Sequence, residues 1–461
     1  MSKAKPASTV LSLPAVLAFA CASIPIAAFQ LALAVHLPRY FASHLGLSLA
    51  VVGGAFALVR FVDIPIDAMF GVAMDRTKTR FGRYRLWLAI GAPLMMLGLF
   101  MLMRSPEGVG SGYLFGWLLF LFLGYSCYYL AHLAWGGSLA PTYKQRSRVF
   151  GAVTFLGVIG AVLVLMIPVA VSASGGTEAQ GVQAMIWFII AALPISAVIV
   201  LATTRERIAR EHHVDFKARD YMALLVRPNI LRLLATDFCV TLGPGWMAAL
   251  YLFYFKDSRG FDNATANILL AIYIAAGFIG APAIAWLANR IGKHRALIVS
   301  TTIYSLGLVL IPFLPSGNFL AFLPVMFMVG GVYAGFTVMI RAIAGDIADE
   351  MRLESGREFM GLVYALLNGT TKLAQAGAIY LTFNVALTVV GYNAREGAPN
   401  TPEAIRGLEL VYIIGPIVFV MIAGACFLGY RLTADRHAEI RNKLEARDAL
   451  AEAAVVTPGH P

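Results

Sequence analysis

Charge is what this chain has least of. Only 13% of its 461 residues are Asp, Glu, Lys or Arg, while 59% are hydrophobic; an ordinary soluble protein is about 25% charged. A soluble core cannot absorb that excess of apolar surface, whereas a bilayer can. Cysteine is scarce too. The four present, Cys21, Cys127, Cys239 and Cys426, lie in apolar runs and in no metal-ligand spacing. They read as small buried hydrophobes, not as a disulfide framework or a zinc site. Also lacking are a phosphate-binding glycine loop ahead of a helix, a nucleophile elbow and a metal-spaced His/Cys cluster. Nothing therefore points to enzymatic chemistry, to a cofactor or to ATP hydrolysis by this chain.

Long apolar runs are what it has instead. A run of about 20 residues crosses hydrocarbon as a helix. Lipid offers no hydrogen-bond partners, so repeated spans must be helices or a closed barrel. These runs are continuous, not alternating, which selects helices. Twelve candidates occur, at 10–37, 46–74, 85–104, 112–140, 149–173, 182–203, 229–254, 264–289, 295–314, 319–345, 358–392 and 407–430. The first is too long for the apolar core of a signal peptide and reads as a membrane span. The predicted fold class is an all-α integral membrane protein of twelve transmembrane helices, two six-helix bundles around a central cavity.

Basic residues assign the sides. The N-terminus, the even-numbered breaks and the C-terminus hold 28 of the 36 Lys and Arg residues; the opposite side holds Arg39, Arg104, Lys256, Arg259, Arg395 and Arg406. Positive charge marks the cytoplasmic side, so both termini are expected inside, in a bacterial inner membrane. The net charge of +11 is then a matter of topology and gives no reason to invoke nucleic acid. The polar stretch RERIAREHHVDFKARDYMALLVRPN separates two sets of six spans, the layout of a transporter built from repeats. The expected division is residues 1–203 as an N-terminal bundle, 204–228 as a central cytoplasmic loop, 229–431 as a C-terminal bundle and 432–461 as a cytoplasmic tail. A weak repeat links GVAMDRTKTRFGRYR after span two to LANRIGKHR after span eight, with Asn289 where the first copy has Asp75.

The stretch FVDIPIDAMFG places Asp63 and Asp67 one turn apart on one face of an apolar helix. An ionised carboxylate at mid-bilayer costs about 2.5–3.5 kcal/mol on insertion scales, and two together repel. They must share a proton, hold a cation or pair with a base. Arg60, three residues before Asp63, can reach the same face, and Lys372 is the other basic residue inside a span. A static ion-pair lattice is one reading; a site for a coupling ion is the one this crowding favours. Other residues are candidates for substrate contact. His132 is flanked by Tyr128 and Trp135, and Trp246 and Trp135 can stack on a sugar ring, although packing is the default for both. Asp237 is either a substrate contact or a partly hydrated structural carboxylate. Asn368 and Thr371 lie beside Lys372. Gly243-Pro244-Gly245 reads as a helix break, a hinge or a simple kink.

At this point ALVRFVDIPIDAMFGVAMDRTKTRFGRYR resembles the signature of the melibiose-permease-like glycoside–pentoside–hexuronide:cation symporters, within the major facilitator superfamily. The pattern is an Arg, Asp-x-x-x-Asp, a Gly, and a loop reading Asp-Arg-Thr with Gly-Arg-x-Arg. HLGLSLAVVG, KQRSR, AGDIADEMRLESGREFMG and TTKLAQAG extend the resemblance over nearly the whole chain. It implies alternating access driven by a cation gradient, with Asp63 and Asp67 as the cation-binding carboxylates and Lys372 near them. It also implies a cytoplasmic gate of Asp75, Arg76, Arg80, Gly82 and Arg83 with Asp346, Asp349 and Arg357. There are departures. The family's sugar-binding acids fall at Ala27 and His132, the amide between the paired acids is Ile66, and a helix IV hydroxyl of the sodium site falls at Tyr129. Sodium wants several oxygen ligands and a proton needs one carboxylate, so the expectation is proton coupling, with sodium as the alternative. The expected cargo is a glycoside or related solute carried by a monomer. Lysophospholipid-like amphiphiles are the alternative cargo, and a transport-dead sensor signalling through the charged tail, with pairs such as Glu439–Lys443, is a remote one.

Overall fold

Backbone that lies in hydrocarbon has to satisfy its own N–H and C=O groups, and the described chain does so with helices. The structure, a computed structural model, describes residues 12–77, 79–105, 110–139, 143–206, 225–356, 359–395 and 398–456. Eleven described helices are long and apolar enough to cross a membrane. They are α1 (Leu13–Ser43), α2 (Leu49–Met74), α3 (Tyr84–Met103), α4 (Ser111–Leu139), α5 (Arg148–Ala173), α6 (Glu178–Thr203), α7 (Pro228–Ser258), α8 (Asn263–Ile291), α9 (Lys293–Phe313), α10 (Phe319–Ser355) and, later in the chain, Pro402–Ala425. The predicted segment 358–392 is helical as well but is not one of the eleven, and it carries Asn368, Thr370, Thr371 and Lys372 within it. It forms α11 (Met360–Tyr380), extended by a π-helical stretch, Leu381–Ala386, and by Leu387–Val389. Pro402–Ala425 is then α12, and a tail helix, α13, spans Ala434–Val456.

Local chemistry sets the ends. Ser48 caps α2 by accepting from Val51 N at 3.3 Å, and Thr177 with Gln180 forms a reciprocal capping box on α6, each satisfying amides that a helix start leaves orphaned. Gly356, at φ 74°, ends α10 in the left-handed region, where a side chain is disfavoured. Pro244 does not break its helix. The α-helical part of α7 runs unbroken from Pro228 to Phe253, and the glycines beside it serve close packing. A Cβ at Gly243 would lie 3.0 Å from Val420, and one at Gly245 would lie 3.0 Å from Ala378. Exposed Phe61, Met69, Trp187, Ile195, Val198 and Leu410 give the helices an apolar outer surface suited to lipid.

Packing divides the chain into two compact units that interleave in sequence. The first is Met1–His212 with Ala248–Ala271 and Ile379–Leu408. The second is His213–Met247, Ile272–Ala378 and Glu409–Pro461. Each is held by small residues where helices cross. In the first, a Cβ at Gly91 would meet Tyr128 N at 2.5 Å, and one at Gly124 would meet Met95 N at 2.6 Å, so α3 and α4 touch backbone to backbone. In the second, a Cβ at Gly280 would lie 2.1 Å from the Gly331 carbonyl, and α8 and α10 cross as closely. Also in the second unit, α13 buries Ile440 and Leu444, four residues apart on one face, and packs against α10.

Candidate cation and substrate site

In the first unit, α2 carries Arg60, Asp63 and Asp67. Asp63 is 1% exposed, and its Oδ1 accepts a hydrogen bond from Ser126 Oγ of α4 at 2.8 Å. Asp67 follows one turn later, half-buried. The guanidinium of Arg60 has a ring among its partners. It lies over the ring of Phe122, with Cζ 4.5 Å from the centroid. Phe122 and Ser126 are themselves one turn apart on α4, so one face of α4 receives both the cation and the carboxylate of α2. Tyr125 completes that face. Its hydroxyl accepts from Gln30 Nε2 of α1, and its ring stacks on Tyr129 with centroids 5.4 Å apart. The hydroxyl bonded to the carboxylate is Ser126, three residues before Tyr129. The sequence showed a serine there but not which face of α4 it joins.

Three substrate candidates on α4 occupy packing positions. His132 is 3% exposed; its Nε2 is 3.0 Å from the Phe19 carbonyl, and its ring stacks on Phe19 with centroids 4.4 Å apart. Trp135 is fully buried edge-on to the same Phe19. Tyr128 shares a hydrogen bond with Ser196 of α6 at 3.0 Å. His132 and Tyr128 are satisfied groups of a helix interface, whereas the Trp135 indole nitrogen is buried with no hydrogen-bond partner among the described residues.

The second unit holds the other candidates. Asp237 of α7 is 7% exposed, and its Oδ2 accepts from Thr371 Oγ1 of α11 at 2.9 Å. Thr371 is followed by half-buried Lys372, and Asn368 is exposed three residues earlier on the same helix. A carboxylate of α7 and a hydroxyl of α11 thus meet at Thr371, the residue before Lys372. Trp246 is engaged elsewhere. Its indole N–H donates to the Val411 carbonyl of α12 at 3.0 Å, and its ring lies against Gly415 and Phe419, so it packs α7 on α12.

Of the expected gate residues, Arg83 is the most anchored. Its Nε donates to the Met74 carbonyl at 3.0 Å, tying the loop to the end of α2. Glu206, beyond α6, accepts from the amides of Arg83 and Tyr84 at 2.9 and 3.1 Å, an acid at a helix N-terminus where amides and dipole favour it. Gly82, at φ 111°, makes that approach. Arg76 is exposed, and Arg80 lies over Phe81 at 5.0 Å. The side chain of Asp75 and all of Arg357 lie outside the described residues, as does 207–224 of the expected central loop. In the second unit, Asp346 accepts from Lys293 Nζ at 2.6 and 2.8 Å, and His437 Nε2 lies 3.3 Å from Asp346 and 3.0 Å from Asp349.

A further cluster, not anticipated, lies in the first unit at the end of α1 that the charge count assigns to the outside. Arg39, 5% exposed, meets Glu178 at 2.9 Å and Asp257 at 3.4 Å. Lys256 meets Glu178 at 2.6 Å, and Tyr392 donates to Asp257. Arg39 also covers the Phe253 ring at 4.6 Å, and Ser43 donates to the Ala394 carbonyl at 2.7 Å. The signal was present: Arg39 and Lys256 are two of the few basic residues on that side. Their acidic partners are far away in sequence, which hides the pairing.

Comparison with known proteins places this geometry. The family described as MFS/sugar transport protein matches residues 18–434. A glucuronide carrier protein homolog of Escherichia coli (strain K12) is 25% identical, over 90% of this chain and 91% of that protein. An isoprimeverose transporter of Lactiplantibacillus pentosus is 21% identical, over 86% and 84% respectively. Among solved structures, the nucleoside transporter NupG superposes with a TM-score of 0.65 at 15% identity, covering 91% of this chain and 100% of that one; the likeness is one of fold.

Proposed function

Since the chain belongs to the MFS/sugar transport protein family, the glycoside–pentoside–hexuronide carriers, we propose that it moves a glycoside or related sugar across the membrane together with a cation, by alternating access. The observation that carries this is Asp63. It is almost wholly buried and bonded to Ser126, with Asp67 one turn away on the same helix. Two acids in such a place keep a site for a mobile positive charge. The proton is the favoured ion, because Ile66 stands between the two acids where the family pattern has an amide, and sodium is the alternative. No resident cofactor is needed. Asp237, Thr371 and Asn368 are the proposed sugar contacts, since a carboxylate and a hydroxyl bonded to each other can grip sugar hydroxyls, and Lys372 keeps the role in ion coupling that the family resemblance implies for it. The excess of Lys and Arg on one side supports both termini in the cytoplasm of a bacterium, and a monomer is the proposed working form.

Ion and sugar must each favour binding of the other by the same factor. That linkage lets a gradient of one concentrate the other. The lysophospholipid alternative is not favoured, because the relatives named above are carriers of a glucuronide and of isoprimeverose by name. The test is uptake of labelled glycosides and hexuronides into proteoliposomes with imposed proton or sodium gradients. Accumulation that collapses when the gradient is dissipated, and that is abolished by Asp67→Asn, is the expected result. Undiminished accumulation by the Asp67→Asn protein would sink the assignment.

A further inference from the structure

We infer that Arg341 of α10 selects the cargo by charge, and that the favoured substrate is a glycoside carrying a carboxylate, a hexuronide, rather than a neutral sugar. The inference rests on the reading of Asp237, Asn368 and Thr371 as sugar contacts, and it adds a residue from a third helix. By sequence, Arg341 is one of the basic residues toward the inner end of α10, where topology alone would account for it. Its surroundings say more. Tyr364, Asn368 and Thr371 stand at positions i, i+4 and i+7 of α11, which share one helix face. At one end of that face the Tyr364 hydroxyl donates to the Arg341 carbonyl at 3.4 Å. At the other end, about 10 Å along the helix, Thr371 donates to Asp237 of α7 at 2.9 Å. Asn368 lies exposed between the two. Three helices of the second unit therefore meet along this face. Arg341 is itself exposed, and its guanidinium lies within electrostatic range of the Asp237 carboxylate. Asp237 nevertheless takes its hydrogen bond from Thr371, and the guanidinium makes no hydrogen bond or ion pair among the described residues. Its planar fork is thus open, and that fork matches a carboxylate with two parallel N–H···O bonds. Neutral sugar hydroxyls are served by the acid, the amide and the hydroxyl alone. The two fixed charges also set the orientation: Asp237 repels an anion, so a substrate carboxylate turns toward α10 and the ring hydroxyls toward α7.

The experiment uses matched sugars that differ only in whether the ring carries a carboxylate or a hydroxymethyl group. The pairs are p-nitrophenyl β-glucuronide with the β-glucoside, and the β-galacturonide with the β-galactoside. Gradient-driven uptake into proteoliposomes gives a KM for each with the full chain as wild type, Arg341→Gln and Arg341→Lys. In at least one pair the wild type should favour the acid. Arg341→Gln should raise the KM of that acid about tenfold, the loss of a hydrogen bond between charges, while the KM of its neutral twin stays within about twofold. Arg341→Lys should recover part of the preference, since an ammonium keeps the charge but lacks the fork. Equal changes for both twins would overturn the proposal, as would a wild type that favours the neutral member of each pair. A binding readout stands apart from transport: the rise in melting temperature of the purified protein on adding each twin. The difference between wild type and Arg341→Gln should appear with the acid and vanish with the neutral sugar. A difference of the same size with both would mean that Arg341 merely supports the fold. If neither pair is bound or accumulated, the sugar reading itself has failed, and this inference with it. If both twins accumulate and Arg341→Gln alters neither KM, the sugar reading stands and only the role of Arg341 has failed.

Discussion

Asp346 receives Lys293 Nζ at 2.6 Å and faces the His437 ring at 3.3 Å, so one carboxylate holds the start of α9 and the tail helix to α10. Hydrogen bonds to charged groups contribute about 1.5–3 kcal/mol each, and Lys293 is about one-third exposed, which lowers its share. Asp346→Ala should therefore loosen the tail. Tryptic cleavage after Arg441 or Lys443 is expected to speed up several-fold, and an unchanged cleavage rate would show that Asp346 is not what holds α13. At this scale the sequence told much and misled in places. Asp63 and Asp67 were legible because a charge in an apolar run has no ordinary explanation. His132 was ambiguous because no sequence shows that the Phe19 carbonyl lies 3.0 Å away. Spacing along its own helix put Arg60 within reach of the face of Asp63, but could not show that it also lies over Phe122 of α4. Glu439–Lys443 was read correctly, at 2.5 Å, since both partners share one helix; with Arg436, Lys443 holds the Glu439 carboxyl below its usual range.

Helices were legible by length and apolarity, their irregularities less so. Gly243-Pro244-Gly245 suggested a break, yet α7 continues through it, because neighbouring helices let a membrane span tolerate proline. The crossing of α8 and α10 illustrates a role that composition cannot assign to any one glycine among 43. Gly280 stands against the Gly331 carbonyl, so Gly280→Leu must drive the two helices apart. Overpacking costs about 1–3 kcal/mol, occasionally more, and the melting temperature should fall by several degrees. Gly116→Leu, at a position where an added Cβ meets nothing within 4 Å, should leave it unchanged. Equal shifts for the two would mean that close approach is not what Gly280 provides.

For the molecule as a whole, the charge count and the run lengths foretold an all-helical membrane carrier, but not the state it adopts. The Arg39–Glu178–Lys256 and Arg39–Asp257–Tyr392 contacts tie segments from both halves of the sequence into the first unit. In an alternating-access cycle this end has to part. Removing one partner of a buried pair costs about 3–5 kcal/mol because the other charge is left behind. Glu178→Gln should therefore favour opening there, raising the labelling rate of a cysteine introduced by Ser43→Cys with an impermeant maleimide at least tenfold. An unaltered rate would show that the cluster does not restrain that end. Beside it lie three π-helical stretches, Ala32–His36, Tyr254–Ser258 and Leu381–Ala386, each holding one residue more than the α-helix it interrupts. Their consequence concerns how such a gene can change length. Deleting one codon within any of them is expected to restore a regular helix and keep the residues beyond in phase, since the wide turn absorbs its extra residue locally. Arg39, beyond the first stretch, then still faces Glu178, and Arg259, beyond the second, keeps its side of the helix. Each of these three lengths is therefore expected to be free to change by one residue in descendants of this gene, independently of the other two.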